Sequence, residues 1–328
     1  MVRRLALLCA LAGCANNIDA GGAAVVEPVA PGEAAPAPTE SAAPTSDDEP
    51  ASLGALDNRY TDFAFEGGEI DFELYRDGIH VAQVARNRYA VPVTLHWQMT
   101  ELDNLEPVTA IEGAITLPAA TGPMGVGEPI VLARFHQIDP RHPYHRQLYM
   151  HARFGDPAAR PTQYSYRVPY PRGQVYAVLQ GFHGAFSHRG SNEFAVDFDC
   201  PVATPVLAAR DGIVVATHDS AQGAGTTPEY QDLTRVNFVY ILHDDGTLGE
   251  YMHLAPSGVS VAPGQHVERG QQIALSGFTG FSSTPHLHFQ VMTSAPDGIA
   301  AHSFPWHLRT GPHLSVTPEQ GRRYASWE

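Results

Sequence analysis

The chain has 328 residues, which is enough for about two domains. Its 20 basic residues are all Arg, and the absence of Lys excludes Schiff-base enzymes, P-loop phosphate binders and Ser-Lys hydrolases. Three Cys are too few for a disulfide scaffold or a thiolate zinc cage, and a net charge of -15 argues against nucleic acid as a partner. Histidine is the residue in surplus, with 17 copies.

The beginning of the chain has the pattern of a secretion signal. Two Arg precede the apolar run Leu5–Leu11, which is too short to cross a bilayer and predicts a signal peptide over residues 1–13. The tetrapeptide LAGC that ends at Cys14 resembles the lipobox of bacterial lipoproteins. That resemblance implies lipidation of Cys14, which would anchor the protein to a membrane surface of the bacterial envelope. The Ala that follows Cys14 implies the outer membrane, facing the periplasm.

The next stretch, residues 14–56, is rich in Ala, Pro and acidic residues and contains no basic residue. Such a composition cannot bury enough apolar surface to offset the entropy of ordering, so it predicts a disordered tether. Strand patterns begin after it, and the clearest is a hairpin with strands at Glu69–Tyr75 and Ile79–Val84. Short strands with frequent Gly and Pro between them predict a β-sandwich-like domain over residues 57–165.

A second block with strand patterns covers residues 166–328. Apolar runs occur at Thr204–Ala209 and Gly212–His218, and a hairpin is predicted from Asn237–His243 and Leu248–His253. No long amphipathic helical pattern occurs after residue 56. The sequence therefore predicts an all-β protein, in which a β-sandwich-like domain precedes a compact domain of antiparallel β-sheet.

Four segments of the second block carry residues suited to catalysis. The predicted strand HLHFQV places His286 and His288 on one face, about 7 Å apart, so that one can bind a metal while the other acts on water. Asp197 lies within an apolar strand and requires a partner, either a metal or an Arg. His188 precedes that strand in a loop, and His253 ends a hairpin strand. Taken alone, His188 and His253 are more typical of surface histidines.

Taken together, these segments resemble the lysostaphin-type zinc metallopeptidase family, whose members cleave peptide bonds in bacterial cell-wall peptidoglycan. The resemblance covers about residues 180–291, and the matching motifs are AVDF at 195–198, YMHL at 251–254, SGFTG at 276–280 and PHLHF at 285–289. It implies one zinc ion per chain and peptidoglycan stem peptides as substrate. The zinc ligands that it implies are His188, Asp197 and His288, and the catalytic pair is His253 and His286.

The chain departs from the common family pattern at three positions. The first zinc ligand usually lies four residues before the Asp, where this chain has Glu193, so His183 and Glu193 remain alternatives to His188. Ala203 and Thr284 stand where the family often has Gly, which affects backbone freedom rather than ligand chemistry.

The complete set of five residues favours a zinc endopeptidase that acts through activated water. Two alternatives remain at this point: a non-catalytic activator of cell-wall amidases with the same fold, and a zinc peptidase that acts on proteins. The other histidines show no usable pattern, and His243, beside a predicted turn, is expected at the surface.

Overall fold

A computed structural model describes residues 53–121, 125 and 127–328. The predicted signal peptide, Cys14 and residues 14–52 of the predicted tether lie outside the described residues. Within the described part, strands dominate and the only helices are three short 3₁₀ turns, so the predicted all-β fold class is confirmed. No helix in this part of the chain has the length and apolar character needed to cross a membrane.

The N-terminal part is built from two sheets. Its strands are β1 (Ala55–Phe65), β2 (Gly68–Asp77), β3 (His80–Asn87), β4 (Val93–Asp103), β5 (Leu105–Pro107), β6 (Glu112–Leu117), β7 (Ile130–Gln137) and β8 (His145–Phe154). One sheet has the order β1-β2-β3-β7-β5 and the other has the order β6-β4-β8. The alternating apolar residues of β4 point into one shared core, where Val93, Leu95, Trp97 and Met99 are buried with residues of the first sheet. The predicted hairpin is present as β2 and β3.

The C-terminal part is built around one large antiparallel sheet. Its strands are β9 (Ser165–Arg167), β10 (Val175–Gln180), β11 (Val196–Phe198), β12 (Pro205–Leu207), β13 (Gly212–His218), β14 (Ala224–Gly225), β15 (Phe238–Leu242), β16 (Leu248–Met252), β17 (His266–Val267), β18 (Gln272–Leu275), β19 (Gly280–Phe281), β20 (Leu287–Ser294), β21 (Ala301–Phe304), β22 (His307–Gly311), β23 (Leu314–Val316) and β24 (Arg323–Ala325). The 3₁₀ turns are Gly190–Asn192, Pro228–Gln231 and Leu233–Arg235. The large sheet has the order β17-β13-β15-β16-β20-β11-β10-β24, and β21 pairs with β20.

The two faces of this large sheet have different neighbours. On β20, Leu287, Phe289 and Val291 face one way and pack into the core of the C-terminal part. The residues between them face the other way. On that second face the N-terminal part packs against β15, where the ring of Phe154 lies 5.1 Å from Tyr240 between ring centroids. The N-terminal part therefore covers a portion of the same face that carries His288.

One expectation about the surface is wrong. His243 is only 3% exposed, although it adjoins the predicted turn. Its Nδ1 donates to the carbonyl of Asp211 at 3.0 Å, and its ring packs beside Tyr166 at 5.8 Å between centroids. Burial lowers the pKa of His243 to about 4, so the ring is neutral at pH 7.

Candidate active site

The register of three strands brings the predicted site residues together. Asp197 on β11 lies directly opposite His288 on β20, and His288 lies directly opposite Met252 at the end of β16. Residues that are directly opposite share a face of the sheet, so the carboxylate and the imidazole project side by side. His253 follows Met252 immediately, and this places it beside the same spot.

The three side chains of His188, Asp197 and His288 form a compact, buried cluster. Their candidate ligand atoms all lie within 4.8 Å of one another. Oδ1 of Asp197 is 3.2 Å from Nε2 of His188 and 2.9 Å from Nδ1 of His288. The Nδ1 of His188 donates to the carbonyl of Gly181 at 2.8 Å, which leaves Nε2 as the lone-pair nitrogen.

This donor set fits a zinc ion. The Nε2 atom of His188 is buried without a hydrogen-bond partner among the described residues, as expected of an atom that awaits a ligand. Two imidazoles and one carboxylate are ligands typical of zinc, and three protein ligands leave a position for water or substrate. The three residues can therefore hold one metal ion of the catalytic type.

The two alternative first ligands lie elsewhere. Nδ1 of His183 lies 3.2 Å from Oε1 of Glu193, and both side chains are about half exposed, at 62% and 48%. Neither belongs to the cluster around Asp197. The structure thus places His188, rather than His183 or Glu193, at the candidate metal position.

The charges in the cluster perturb one another. Burial opposes a charge on Asp197, but the neighbouring His286 and His188 outweigh it and hold its pKa well below the usual range. Burial also opposes a proton on His288, yet Asp197 and Glu250 outweigh it and raise its pKa to about 9. A carboxylate that stays ionised among histidines is well prepared for a divalent cation.

The other two histidines lie beside the cluster, with their rings 4.5 Å apart between centroids. The Nδ1 of His253 donates to the carbonyl of Thr279 at 2.7 Å, and the Nδ1 of His286 lies 2.8 Å from the carbonyl of Thr284. Each ring therefore has Nε2 left for chemistry. Burial, together with the nearby His286 and His288, holds the pKa of His253 well below its usual value, so this ring is neutral at pH 7.

One cavity of about 310 Å³ is lined by four of the five candidate site residues, Asp197, His253, His286 and His288, but not by His188. Phe186 and Phe281 also line it, and their rings stack at 5.8 Å between centroids. Phe186 is 51% exposed, so an apolar surface is available beside the catalytic candidates. The cavity is large enough for part of a peptide chain but not for a folded protein domain.

Gln180 is a site residue that the sequence did not reveal. Its Nε2 donates to Oδ2 of Asp197 at 3.1 Å, and its Oε1 accepts the backbone N–H groups of Phe186 and Ser187 at 2.9 and 3.0 Å. It thus fixes both Asp197 and the loop that leads to His188. The available signal was a lone polar residue at the end of β10, which by itself indicates no role.

Backbone conformation accounts for one departure from the family pattern. Ala203 has φ of +67°, the left-handed region that favours glycine. This chain has Ala at a position where the family often has Gly, so the backbone of this turn is strained, but none of the candidate metal ligands is changed. His253 also has a positive φ, +62°, which is typical of strained residues at functional sites.

Comparison with known proteins finds similar sequences. Residues 191–299 match the family described as Peptidase family M23. Glycyl-glycine endopeptidase ALE-1 of Staphylococcus capitis is 39% identical over 107 residues, which are 32% of this chain and 26% of that protein. Peptidoglycan DD-endopeptidase ShyA of Vibrio cholerae serotype O1 is 38% identical over 127 residues, which are 38% of this chain and 26% of that protein. The match thus spans about a quarter of the length of these relatives.

A solved structure is similar to part of this chain. The catalytic domain of the antimicrobial peptidase lysostaphin from Staphylococcus simulans is 33% identical, with a TM-score of 0.27, and the similarity covers 41% of this chain and 88% of that one. His188 lies just upstream of the family match, and its place in the site follows from the geometry. Residues 191–299 are therefore identified as a Peptidase family M23 domain.

Proposed function

We propose that this chain is a zinc endopeptidase that hydrolyses the peptide cross-links of bacterial peptidoglycan. The observation that carries the proposal is the buried cluster of His188, Asp197 and His288 beside two further histidines on one open cavity. Relatives that are named as endopeptidases, one of them for peptidoglycan, support the class of substrate. All five functional positions are filled, which favours an enzyme over a non-catalytic activator of amidases.

In this proposal His188, Asp197 and His288 hold the zinc ion. When bound, zinc supplies a Lewis acid that lowers the pKa of a water molecule to about 7 and polarises the scissile carbonyl. His253 is neutral and has its Nε2 free, so we assign it as the base that accepts the water proton. His286, whose ring lies 4.5 Å from that of His253 between centroids, is then assigned as the donor to the oxyanion or the leaving amine.

Digestion of purified sacculi tests the proposal. The soluble chain from residue 53 onward is incubated with sacculi, and the released muropeptides are identified by mass spectrometry. We expect cross-linked dimers to be converted to monomers, and we expect a zinc chelator to stop the conversion. Cleavage of casein without release of muropeptides would instead indicate a peptidase of proteins, and less than about 0.1 zinc per purified chain would contradict the zinc enzyme.

We further propose that the chain is held at the outer membrane, facing the periplasm, through lipid on Cys14. The support is the LAGC motif and the acidic tether after it, both outside the described residues. Expression in a bacterial host followed by membrane fractionation checks this point. The Cys14→Ala variant is expected in the soluble fraction, and retention of this variant in the membrane fraction would contradict lipid attachment.

A further inference from the structure

A row of three polar side chains crosses the large sheet beside the metal cluster. Tyr240 on β15 lies directly opposite Glu250 on β16, and Glu250 lies directly opposite Gln290 on β20. The three residues therefore project from the same face as His288, one step further along each strand. Glu250 is a carboxylate with only 2% exposure, and neither the zinc site nor the catalytic pair includes it.

The contacts of Glu250 connect this row to a metal ligand. Its Oε1 lies 3.5 Å from Nε2 of His288, on the opposite side of the ring from the Nδ1 that faces Asp197. That Nε2 is buried and has no hydrogen-bond partner among the described residues, so Glu250, at 3.5 Å, is the carboxylate placed to accept its N–H. Gln290 donates to Oε1 of Glu250 at 2.8 Å and Tyr240 donates to Oε2 at 2.6 Å, which fixes the carboxylate in place.

The same row ends at the contact between the two parts of the chain. The ring of Tyr240 lies between Phe154 of the N-terminal part and Phe238 of β15, each 5.1 Å away between centroids. Tyr240 is 2% exposed and belongs to the core that both parts share. A continuous line of contacts thus runs from the N-terminal part through Tyr240 and Glu250 to His288.

We propose that Glu250 is a positioning residue for the metal site: it holds the ring of His288 so that the Nδ1 of this ring is available to zinc. Tyr240, which belongs to the interdomain core, fixes Glu250 in turn. A carboxylate on the distal nitrogen of a ligating imidazole selects the tautomer, orients the ring and increases its basicity. The N-terminal part therefore contributes to the site through the face that it covers. This inference rests on the proposed function, because it assumes that zinc binds at His288.

The zinc affinity of the chain from residue 53 onward tests the inference independently of hydrolysis. The dissociation constant is measured by competition with a chromogenic chelator for the wild type, Glu250→Gln and Tyr240→Phe. Replacement of the outer partner of a ligating histidine typically weakens metal binding about 10- to 100-fold, which we expect for Glu250→Gln. Tyr240→Phe keeps the ring in the core and removes only the hydroxyl, so a smaller loss in the same direction is expected.

A second buried tyrosine provides the matched control. Tyr170 is fully buried in the core of the C-terminal part, and its hydroxyl donates to the carbonyl of Tyr324 at 2.6 Å, so its hydrogen bond does not involve the row of Tyr240, Glu250 and Gln290. Tyr170→Phe makes the same chemical change and is expected to leave zinc affinity unaltered. The visible absorption of the cobalt-substituted protein supplies a second readout, because a reoriented His288 changes the ligand field whereas a general loss of stability does not.

The outcomes separate this inference from the proposed function. A folded Glu250→Gln variant with wild-type zinc affinity and an unchanged cobalt spectrum overturns the role of Glu250. If Glu250→Gln does not fold, Tyr240→Phe decides, and zinc affinity equal to that of Tyr170→Phe overturns the inference. A wild-type chain that binds no zinc contradicts the proposed function itself, before any variant is compared.

Discussion

Each histidine of the candidate site has one ring nitrogen occupied by the protein. His188 donates to Gly181, and His253 donates to Thr279, in both cases from Nδ1 to a backbone carbonyl. A backbone acceptor fixes both the tautomer and the direction of the ring, since rotation would break the bond. The site is therefore arranged for a ligand before one binds, which reduces the reorganisation that metal binding requires.

The separate roles of the two histidines on one strand can be tested by single substitutions. His288→Ala removes a ligand atom from the three-residue cluster, so we expect zinc content close to zero. His286→Ala leaves all three ligands, so zinc content is expected to stay at one per chain while muropeptide release falls about 10²- to 10⁴-fold. Metal analysis and initial rates on the same preparations check both expectations.

An exposed histidine gives the control for these substitutions. His266 lies on β17, exposed and outside the cavity, so His266→Ala is expected to keep both zinc and activity. Full turnover in His286→Ala would remove this residue from the chemistry, and zinc retained by His288→Ala would show that the cluster is not the metal site.

The sequence could identify the reactive residues but not those that hold them. His286, His288 and Asp197 stood out because an imidazole pair on one strand face and a carboxylate in an apolar strand are unusual, whereas His188 and His253 were assigned through the resemblance to a known family. Gln180 and Glu250 carry no such signal, since their contacts depend on register. At β10 the register shifts between Val178 and Gln180, and only that irregularity turns Gln180 toward Asp197.

At the scale of elements, the loop between β10 and β11 depends on close packing against Gln180. A Cβ atom added to Gly184 would lie 2.1 Å from Cγ of Gln180, closer than any real contact. Because Gln180 holds both the loop and Asp197, we expect Gly184→Ala to displace that side chain and to weaken zinc binding. The chelator competition assay measures the change.

Another glycine shows whether the effect is local. A Cβ atom at Gly311 would meet Leu314 at 3.4 Å, an ordinary contact, so Gly311→Ala is expected to bind zinc like the wild type. If Gly184→Ala and Gly311→Ala bind zinc equally well, the packing of Gln180 against the loop has no part in metal binding.

The turn between β15 and β16 contains the buried His243, and it predicts a dependence of stability on pH. Its folded pKa of about 4 lies below the ordinary 6.5, so the unfolded chain binds a proton in this interval and the folded chain does not. The contribution of His243 to the free energy of unfolding is therefore greatest above pH 6.5 and falls as the pH drops toward 4. A shift of this size corresponds to about 3 kcal/mol at most.

Urea unfolding at pH 7 and at pH 4.5 measures this loss. The His243→Gln variant keeps a polar side chain at the site but cannot titrate, so its stability is expected to fall less over the same interval than that of the wild type. Carboxylates such as Asp245, whose ion pair with Arg210 is present in both proteins, contribute equally and cancel in the comparison. Equal losses in the two proteins would contradict the assignment to His243.

The elements missed from the sequence are those whose partners are distant in the chain. β1 begins at Ala55, two residues before the predicted start of the first domain, and its exposed residues lack an apolar alternation. β9 lies at the predicted boundary between the two domains, and it pairs with β22 more than 140 residues later. A short strand that is stabilised by a remote neighbour has no local pattern, whereas the hairpins at Gly68–Asn87 and Phe238–Met252 carry their own.

At the scale of the whole molecule, the interdomain core and the candidate site occupy one face of the large sheet. The N-terminal part covers β15 and leaves the ends of β11 and β20 open at the cavity. The sequence predicted two successive β-rich parts, but it contained no indication that they share a core. That arrangement arises from tertiary packing of aromatic rings that are about 90 residues apart, such as Phe154 and Tyr240.

A shared core predicts that the two parts unfold together. Phe154 is 2% exposed and contacts rings from both parts, with Phe63 at 4.9 Å and Tyr240 at 5.1 Å between centroids. Truncation of a buried Phe to Ala typically lowers the free energy of unfolding by about 3–5 kcal/mol. Phe154→Ala is therefore expected to lower the midpoint temperature of unfolding for both parts together, in a single transition. Phe186→Ala, which alters a ring that is 51% exposed, is expected to shift it far less. Thermal unfolding, followed by near-ultraviolet circular dichroism and by release of zinc, checks both variants. Independent parts would instead unfold in two separate transitions. In that case Phe154→Ala would shift only the transition in which no zinc is released.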